Sequence, residues 1–272
     1  MKRFEGRTAV VTGGAQGIGL ATADRLFAEG ANVLIADIKE WEGSAASQKL
    51  TLGDRVAYCP ADVSVAAQVE AMMAAAEARF GAIDVLVSNV GVAKSTPFLN
   101  LGEEEIEAGF RINLFSMIWC CQAAMRRMKA RGKGGAVVLM SSVNAVMTMP
   151  GFTIYNCSKG GIEQLTRVLS IEFADDNIRV NAVGPGTILT ELATILERRT
   201  KLLVAEGFFA DEAEGKAYCA DLRALDADPA RRDIAFRLGV EPELLETERR
   251  VTELRNWIEH QVRPQKSRRG RG

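Results

Sequence analysis

Short runs of β-branched and other apolar residues alternate with longer stretches of helical periodicity along the first two thirds of the chain. Several of these runs are apolar at every position, which is typical of parallel strands covered by helices on both faces. The predicted strands are Thr8–Thr12, Asn32–Asp37, Arg55–Pro60, Ile83–Ser88, Ala136–Ser141 and Ile178–Val183. Apolar spacing of the helical kind predicts the helices Gly17–Glu29, Val65–Phe80, Glu103–Lys129 and Ile154–Ala174.

This alternation of strand and helix predicts the fold class. Each strand–helix–strand unit joins parallel strands through a right-handed crossover. We therefore predict an α/β protein with a doubly wound (Rossmann) parallel sheet, a three-layer α/β/α domain at residues 1–190. Ser64 is the predicted N-cap of the second helix, because its side chain can accept a hydrogen bond from the first turn.

The pattern changes after residue 190. Helix formers and mixed charge follow without a convincing strand, so residues 191–263 are predicted to be a helical C-terminal segment. Within this segment, apolar residues at helical spacing predict an amphipathic helix around Leu244–Val262. Residues 264–272 are basic, and we interpret them as a disordered, solvated tail in preference to a nucleic-acid-binding one.

Composition excludes several classes of protein. The chain has 272 residues, is 47% hydrophobic and 25% charged, and is therefore of ordinary globular composition. A net charge of −1 gives no field to hold nucleic acid or an anionic membrane. There is neither an apolar run of membrane-spanning length nor a signal-like start, so we expect a cytoplasmic protein. The five cysteines lack metal-ligand spacing and the single histidine is His260, so we expect reduced thiols and no metal.

A glycine-rich turn, TGGAQGIG, follows the first predicted strand and opens the first helix. Glycine removes the Cβ atoms that would block a tight turn and a close pyrophosphate, and the N–H groups of a helix N-terminus attract phosphates. The spacing is G-x-x-x-G-x-G and differs from the generic G-x-G-x-x-G. A plain turn is the alternative, but the position between strand and helix favours nucleotide binding.

An acidic residue, Asp37, closes the second predicted strand. A carboxylate at that point accepts hydrogen bonds from an adenosine ribose and repels a 2′-phosphate, so the sequence favours NAD over NADP. Lys39 is the one contrary sign, and a solvated surface lysine is its alternative explanation. Asp62–Val63, after the third strand, is either an ordinary helix entry or an adenine contact.

Tyr155 and Lys159 lie four residues apart in a predicted helix and share one face. A free phenol ionises near pH 10, and a nearby ammonium stabilises the phenolate. Such a pair can protonate a carbonyl oxygen or deprotonate an alcohol. Because Tyr-x-x-x-Lys also occurs by chance in helices, the surrounding residues decide its meaning.

Polar residues end the neighbouring predicted strands. Ser141 and Ser142 end the fifth strand, where a hydroxyl can hydrogen-bond a developing alkoxide. The segment Ser88–Gly91, which contains Asn89, ends the fourth strand, and Asn113 lies in a predicted helix. A purely structural role is the alternative for either asparagine.

Taken together, these motifs resemble the short-chain dehydrogenase/reductase family, from Arg7 to about Leu192 and in the family's order. The resemblance implies an oxidoreductase that moves a hydride between NAD(H) and a secondary alcohol or its ketone. It also implies a catalytic tetrad of Asn113, Ser142, Tyr155 and Lys159. In that tetrad tyrosine is the acid/base, serine orients the substrate oxygen, lysine binds the nicotinamide ribose, and asparagine supports a water relay. The expected cofactor-binding residues are Thr12, Gly13, Gln16, Gly17, Ile18, Gly19, Asp37, Asp62, Val63, Asn89, Tyr155, Lys159, Pro185, Gly186, Ile188 and Thr190.

The chain departs from the family pattern in three places. The usual asparagine–asparagine–alanine–glycine is here Ser-Asn-Val-Gly, and Gly109 interrupts a helix at a cost of about 1 kcal/mol relative to alanine. The family's last helix and seventh strand, often used in tetramer assembly, have no match.

We expect a homo-oligomer, a dimer or a tetramer, that acts on a small-molecule alcohol or ketone. The alternatives are an NADP-dependent ketone reductase and a cofactor-binding protein whose altered C-terminus impairs catalysis.

Overall fold

The structure is a computed structural model, and it describes residues 2–42, 44–186 and 213. In these ranges the strands are β1 (Thr8–Thr12), β2 (Asn32–Asp37), β3 (Val56–Pro60), β4 (Val85–Ser88), β5 (Gly135–Met140) and β6 (Ile178–Val183). The helices are α1 (Gly17–Ala28), α2 (Ala45–Lys49), α3 (Ala66–Phe80), α4 (Glu103–Phe110), α5 (Ser116–Arg131) and α6 (Thr153–Glu172). A π-helical turn at Arg111–Phe115 joins α4 to α5, and short 3₁₀ turns lie at Phe98–Asn100 and Val143–Ala145.

All the strands pair in parallel, in the order β3-β2-β1-β4-β5-β6. The order reverses between β1 and β4, which makes their carboxyl ends the topological switch point of a doubly wound sheet. Helices cover both faces. Val10 belongs to the hydrophobic cluster that packs under α3 and α5, and its neighbour Val11 to the cluster under α1 and α2. The predicted Rossmann fold is therefore confirmed.

Several elements begin or end one or two residues away from the predicted bounds, and three further details differ from the sequence prediction. The N-cap of α3 is Val65, whose side chain makes no capping bond, so the prediction of Ser64 was wrong. The carboxylate of Asp62 instead accepts a hydrogen bond from the Ser64 N–H at 2.8 Å, and Gln68 Oε1 accepts one from the Asp62 N–H at 2.8 Å. The long helix predicted at 103–129 is divided by the π-helical turn, and the short helix α2 was not predicted.

The predictions for the C-terminal part of the chain concern residues that the structure does not describe. The helical segment 191–263, apart from Ala213, and the basic tail 264–272 lie outside the described residues. The boundaries of the predicted domains therefore stay predictions. In the described ranges, no helix is both long enough and apolar enough to cross a membrane.

Candidate active site

The glycine turn connects β1 to α1 at the switch point of the sheet. Gly13 and Gly17 have φ angles of 64° and 58°, a left-handed conformation that glycine adopts without strain. A Cβ atom on Gly19 would overlap the carbonyl oxygen of Gly13. The turn therefore requires glycine at all three of these positions.

The N-terminus of α1 is open to an anion. Its N-cap residue, Gln16, makes no side-chain capping bond, and the first turn contains no acidic residue. The first N–H groups of a helix have no partner within the helix, and the helix dipole favours negative charge at that end. Located at the switch point, this N-terminus fits the pyrophosphate of a dinucleotide.

The carboxylate of Asp37 is fixed beside the turn. One of its oxygens accepts a hydrogen bond from the Ala15 N–H at 3.0 Å, and the other accepts one from the Lys39 N–H at 3.1 Å. The Lys39 ammonium donates to the side-chain oxygen of Gln16 across the turn. This link was not predicted, because in the sequence Lys39 has the pattern of a solvated surface lysine.

Asn89 ties the carboxyl end of β4 to the turn. Its N–H donates to the Thr12 hydroxyl oxygen at 3.1 Å, and its side-chain amide donates to the Gly13 carbonyl at 3.2 Å. At the third strand, Asp62 takes part in the entry to α3, and Val63 is buried. Asn89 therefore links the end of β4 to the glycine turn, whereas the contacts of Asp62 are local to the start of α3.

Ile18, Pro185 and Gly186 are further predicted cofactor-binding residues within the described ranges. Ile18 packs, partly buried, against the core. The carbonyl of Pro185, which precedes Gly186, accepts a hydrogen bond from the Val143 N–H at 3.1 Å, next to Ser142. Ile188 and Thr190 lie outside the described residues.

Tyr155 and Lys159 face each other on the first turns of α6. The Lys159 Nζ lies 5.4 Å from the centroid of the Tyr155 ring, and it donates a hydrogen bond to the Met140 carbonyl at 2.6 Å. The lysine is only 2% exposed, and burial lowers the pKa of Lys159 to about 8. The pair therefore places a buried amine or ammonium group beside a phenol.

Asn113 lies in the π-helical turn and holds the loop after β4. Its amide nitrogen donates to the Val92 carbonyl at 2.9 Å, and its amide oxygen accepts from the Val92 N–H at 2.8 Å. A Cβ atom on Gly91 would lie 3.3 Å from the Lys159 Nζ and 3.4 Å from the Asn113 Oδ1. The glycine thus lets lysine and asparagine approach the same point, and π-helical turns are frequent at functional sites.

The two serines after β5 differ in their contacts. Ser141 is buried, and its N–H donates to the Val183 carbonyl at 2.7 Å, while its hydroxyl lies 3.4 Å from the Lys159 carbonyl. The Ser142 hydroxyl oxygen accepts a hydrogen bond from the Asn144 N–H at 3.2 Å. An acceptor role leaves the Ser142 hydroxyl proton available to a substrate oxygen.

A Rossmann sheet with a glycine turn at its switch point is typical of nucleotide-binding proteins, and here a buried lysine lies beside a tyrosine near the end of β5. Comparison with known proteins agrees, because the family model described as short chain dehydrogenase matches residues 7–201. The chain belongs to the short-chain dehydrogenase family. Enzymes of this family use NAD(H) or NADP(H) and act on small molecules.

Several relatives with names resemble this chain. The 1,6-dihydroxycyclohexa-2,4-diene-1-carboxylate dehydrogenase of Pseudomonas putida is 42% identical over 68% of this chain and 68% of its own length. The D-threitol dehydrogenase of Mycolicibacterium smegmatis is 38% identical over 70% of this chain and 73% of its own length.

Solved structures also resemble this chain. Levodione reductase superposes with a TM-score of 0.67 and 34% identity, over 75% of this chain and 79% of its own. The 3-ketoacyl-(acyl-carrier-protein) reductase of Brucella melitensis, complexed with NADH, gives a TM-score of 0.65 and 30% identity, over 70% of this chain and 79% of its own.

Proposed function

We propose that this protein oxidises a secondary alcohol or reduces the corresponding ketone with NAD(H). One observation carries the proposal: Lys159 is buried, and its Nζ lies 5.4 Å from the centroid of the Tyr155 ring. A phenol at the carboxyl end of a parallel sheet needs such a cationic neighbour to act as a base near neutral pH.

Each residue of the proposed tetrad has a separate task. A nicotinamide dinucleotide held by the glycine turn and Lys159 would supply the acceptor of a hydride from the alcohol carbon or its donor to the ketone. Tyr155 removes the hydroxyl proton during oxidation and donates it to the carbonyl oxygen during reduction. Ser142 donates a hydrogen bond to the same oxygen and so stabilises the charge that develops on it.

Lys159 and Asn113 support the tyrosine. In its protonated form Lys159 favours the phenolate of Tyr155 through its positive charge, and it binds the ribose next to the nicotinamide. Asn113 fixes the loop at Val92 by two hydrogen bonds. This loop borders the site, so we assign Asn113 to holding the loop and to a water relay toward Lys159.

The cofactor assignment depends on the adenosine side of the site. Asp37, at the end of β2, supports NAD, because its carboxylate would repel a 2′-phosphate. The relative complexed with NADH supports the same choice. NADP remains the second candidate, and the observation in its favour is the Lys39 ammonium, which Gln16 holds across the turn.

The chemistry of the substrate follows from the tetrad and from the named relatives. Tyrosine and serine act on a single oxygen, which fits a secondary alcohol or ketone. The dihydroxycyclohexadiene carboxylate and D-threitol dehydrogenases are named for substrates that carry hydroxyl groups. We also propose a cytoplasmic homo-oligomer, a dimer or tetramer, and its mass in solution is measurable by light scattering.

One screen tests this function. The purified protein is incubated with NAD or NADP and a panel of secondary alcohols, and with NADH or NADPH and the matching ketones, while the absorbance of the reduced nicotinamide is followed. We expect turnover with at least one alcohol–ketone pair and faster turnover with NAD(H). Tight NADH binding with no turnover on the whole panel would favour a cofactor-binding protein instead.

A further inference from the structure

Gly109 allows a close contact between the helical run that carries Asn113 and the helix that carries Tyr155. A Cβ atom on Gly109 would lie 2.6 Å from Ile154 Cγ2 and 3.5 Å from Ile154 Cβ. Ile154 is the second residue of α6 and directly precedes Tyr155. The glycine that weakens α4 therefore makes room for the first turn of the neighbouring helix.

The contact leaves little room for adjustment. The methyl group that meets Gly109 is part of the β-branch of Ile154, and β-branched residues in helices have one strongly preferred side-chain rotamer. Rotating this methyl group away would require an unfavourable conformation. An added side chain at Gly109 would instead push the beginning of α6, and with it Tyr155.

A second glycine makes the reciprocal contact about two turns further along α6. A Cβ atom on Gly161 of α6 would lie 3.1 Å from Leu114 Cδ2 in the π-helical turn. The first contact joins Gly109 with Ile154, and the second joins Leu114 with Gly161. Asn113 on one helical run, and Tyr155 and Lys159 on α6, therefore lie between the two contacts. We refer to the four residues of these two contacts as the glycine seat.

We propose that Gly109 is a positioning residue for Tyr155, because the glycine seat sets the distance between α6 and the helical run that carries Asn113. This inference rests on the proposed function, since it assigns Tyr155 the acid/base role. Helix propensity alone predicts that Gly109→Ala would be favourable, because alanine stabilises a helix relative to glycine. The proposal predicts instead that this substitution is harmful.

The first test is a series of three glycine-to-alanine variants. Gly109→Ala is expected to lower kcat by about ten- to a hundredfold, since small displacements of a reacting group are costly. Gly161→Ala is expected to have a smaller effect, because the leucine end that it meets is flexible. Gly160→Ala is the matched control in the same helix, since a Cβ atom there meets none of the described residues within 4 Å, and its kcat should equal that of the wild type. NADH affinity should stay within about twofold throughout, because the β1–α1 turn is unchanged.

A second-site substitution separates positioning from general damage. Ile154→Leu removes the β-branch methyl group and nearly conserves volume, a change that protein cores tolerate well. The double variant Gly109→Ala/Ile154→Leu should recover most of the kcat lost in Gly109→Ala. Full kcat in Gly109→Ala would overturn the proposal, and so would a loss that Ile154→Leu does not repair.

Crystal structures of the variants test the positioning role independently of turnover. In Gly109→Ala the Tyr155 ring should lie farther from Asn113 than in the wild type. In the double variant it should return to its wild-type position. An unmoved ring would overturn the proposal. A wild-type protein inactive on every alcohol would count against the proposed function, while the crystallographic comparison would still decide the role of Gly109.

Discussion

The side chain of Lys159 donates to the main-chain oxygen of Met140 at 2.6 Å. Met140 is the last residue of β5, and Ser141 and Ser142 follow it. The hydrogen bond therefore fixes the Lys159 side chain of α6 beside the end of β5, which precedes Ser142 in the chain. A carbonyl is a partner without a negative charge, so its hydrogen bond offsets only part of the desolvation of the ammonium, and burial lowers the pKa of Lys159 to about 8.

This lowered pKa predicts how stability depends on pH. Below pH 8 both the folded and the unfolded chain carry the charge, and the folded protein bears the cost of burying it. Between about pH 8 and 10.5 the unfolded chain holds a proton that the folded protein has released, so this group makes the free energy of unfolding rise with pH in that window.

Replacing Lys159 by methionine should therefore stabilise the cofactor-free protein at pH 7. The pKa difference corresponds to ~3 kcal/mol, and loss of the bond to Met140 offsets ~1 kcal/mol of it, which leaves a net gain of about 2 kcal/mol. The gain should disappear as the pH rises from 8 to 10.5, as measured by urea unfolding. Lys49→Met is the control, because Lys49 is half exposed and paired with Asp24. A gain that stayed constant over this pH range would show that the burial of charge is not its cause.

Tyr155→Phe should remove turnover while it leaves NADH affinity nearly unchanged. The ring stays in contact with Lys159, and only the proton-transfer group is lost. General acid–base catalysis contributes roughly a hundred- to ten-thousandfold, so we expect a loss of kcat of at least a hundredfold. Steady-state rates and a fluorescence titration with NADH supply the two readouts. More than a tenth of the wild-type activity in the variant would rule out the assignment of Tyr155 as acid/base.

The sheet could be predicted from the sequence because buried parallel strands are marked by continuous apolar runs. β1, β2 and β6 have the predicted bounds. The π-helical turn at Arg111–Phe115 was not predictable, since an i→i+5 hydrogen bond leaves no periodic signal of its own. The five-residue helix α2 is too short to show helical periodicity.

The candidate site was predictable to the extent that single residues mark it. Tyr155, Lys159 and Asp37 could be named from the spacing of the motifs, but the partners that hold them are distant in sequence. Gly109 is an example, because in the sequence it is only a weak point in a helix. Its contact with Ile154 depends on how two helices pack, which local patterns do not specify.

Two substitutions at the adenosine side should shift cofactor preference in opposite directions. Asp37→Ala should narrow the preference for NAD(H), because it removes the repulsion of a 2′-phosphate together with the bond to the ribose. Lys39→Met should weaken NADPH binding by about tenfold, the equivalent of ~1.4 kcal/mol, and leave NADH binding within about twofold. Fluorescence titrations with NADH and NADPH measure both variants, and Lys49→Met again serves as the control. If Lys39→Met weakened NADH binding and NADPH binding equally, Lys39 would act only through its bond to Gln16 and the shape of the turn.

The last prediction concerns β6, which among the described strands pairs only with β5. Such an edge presents unpaired N–H and C=O groups that can pair with another chain, so some other part of the protein is expected to cover it. The amphipathic sequence around Leu244–Val262 is our candidate, and it lies outside the described residues. A protein that ends at Gly239 should therefore aggregate or fold poorly in light-scattering and thermal-melting measurements, whereas removal of only residues 264–272 should change neither solubility nor activity. A soluble, active protein that ends at Gly239 would show that the edge is protected by other residues.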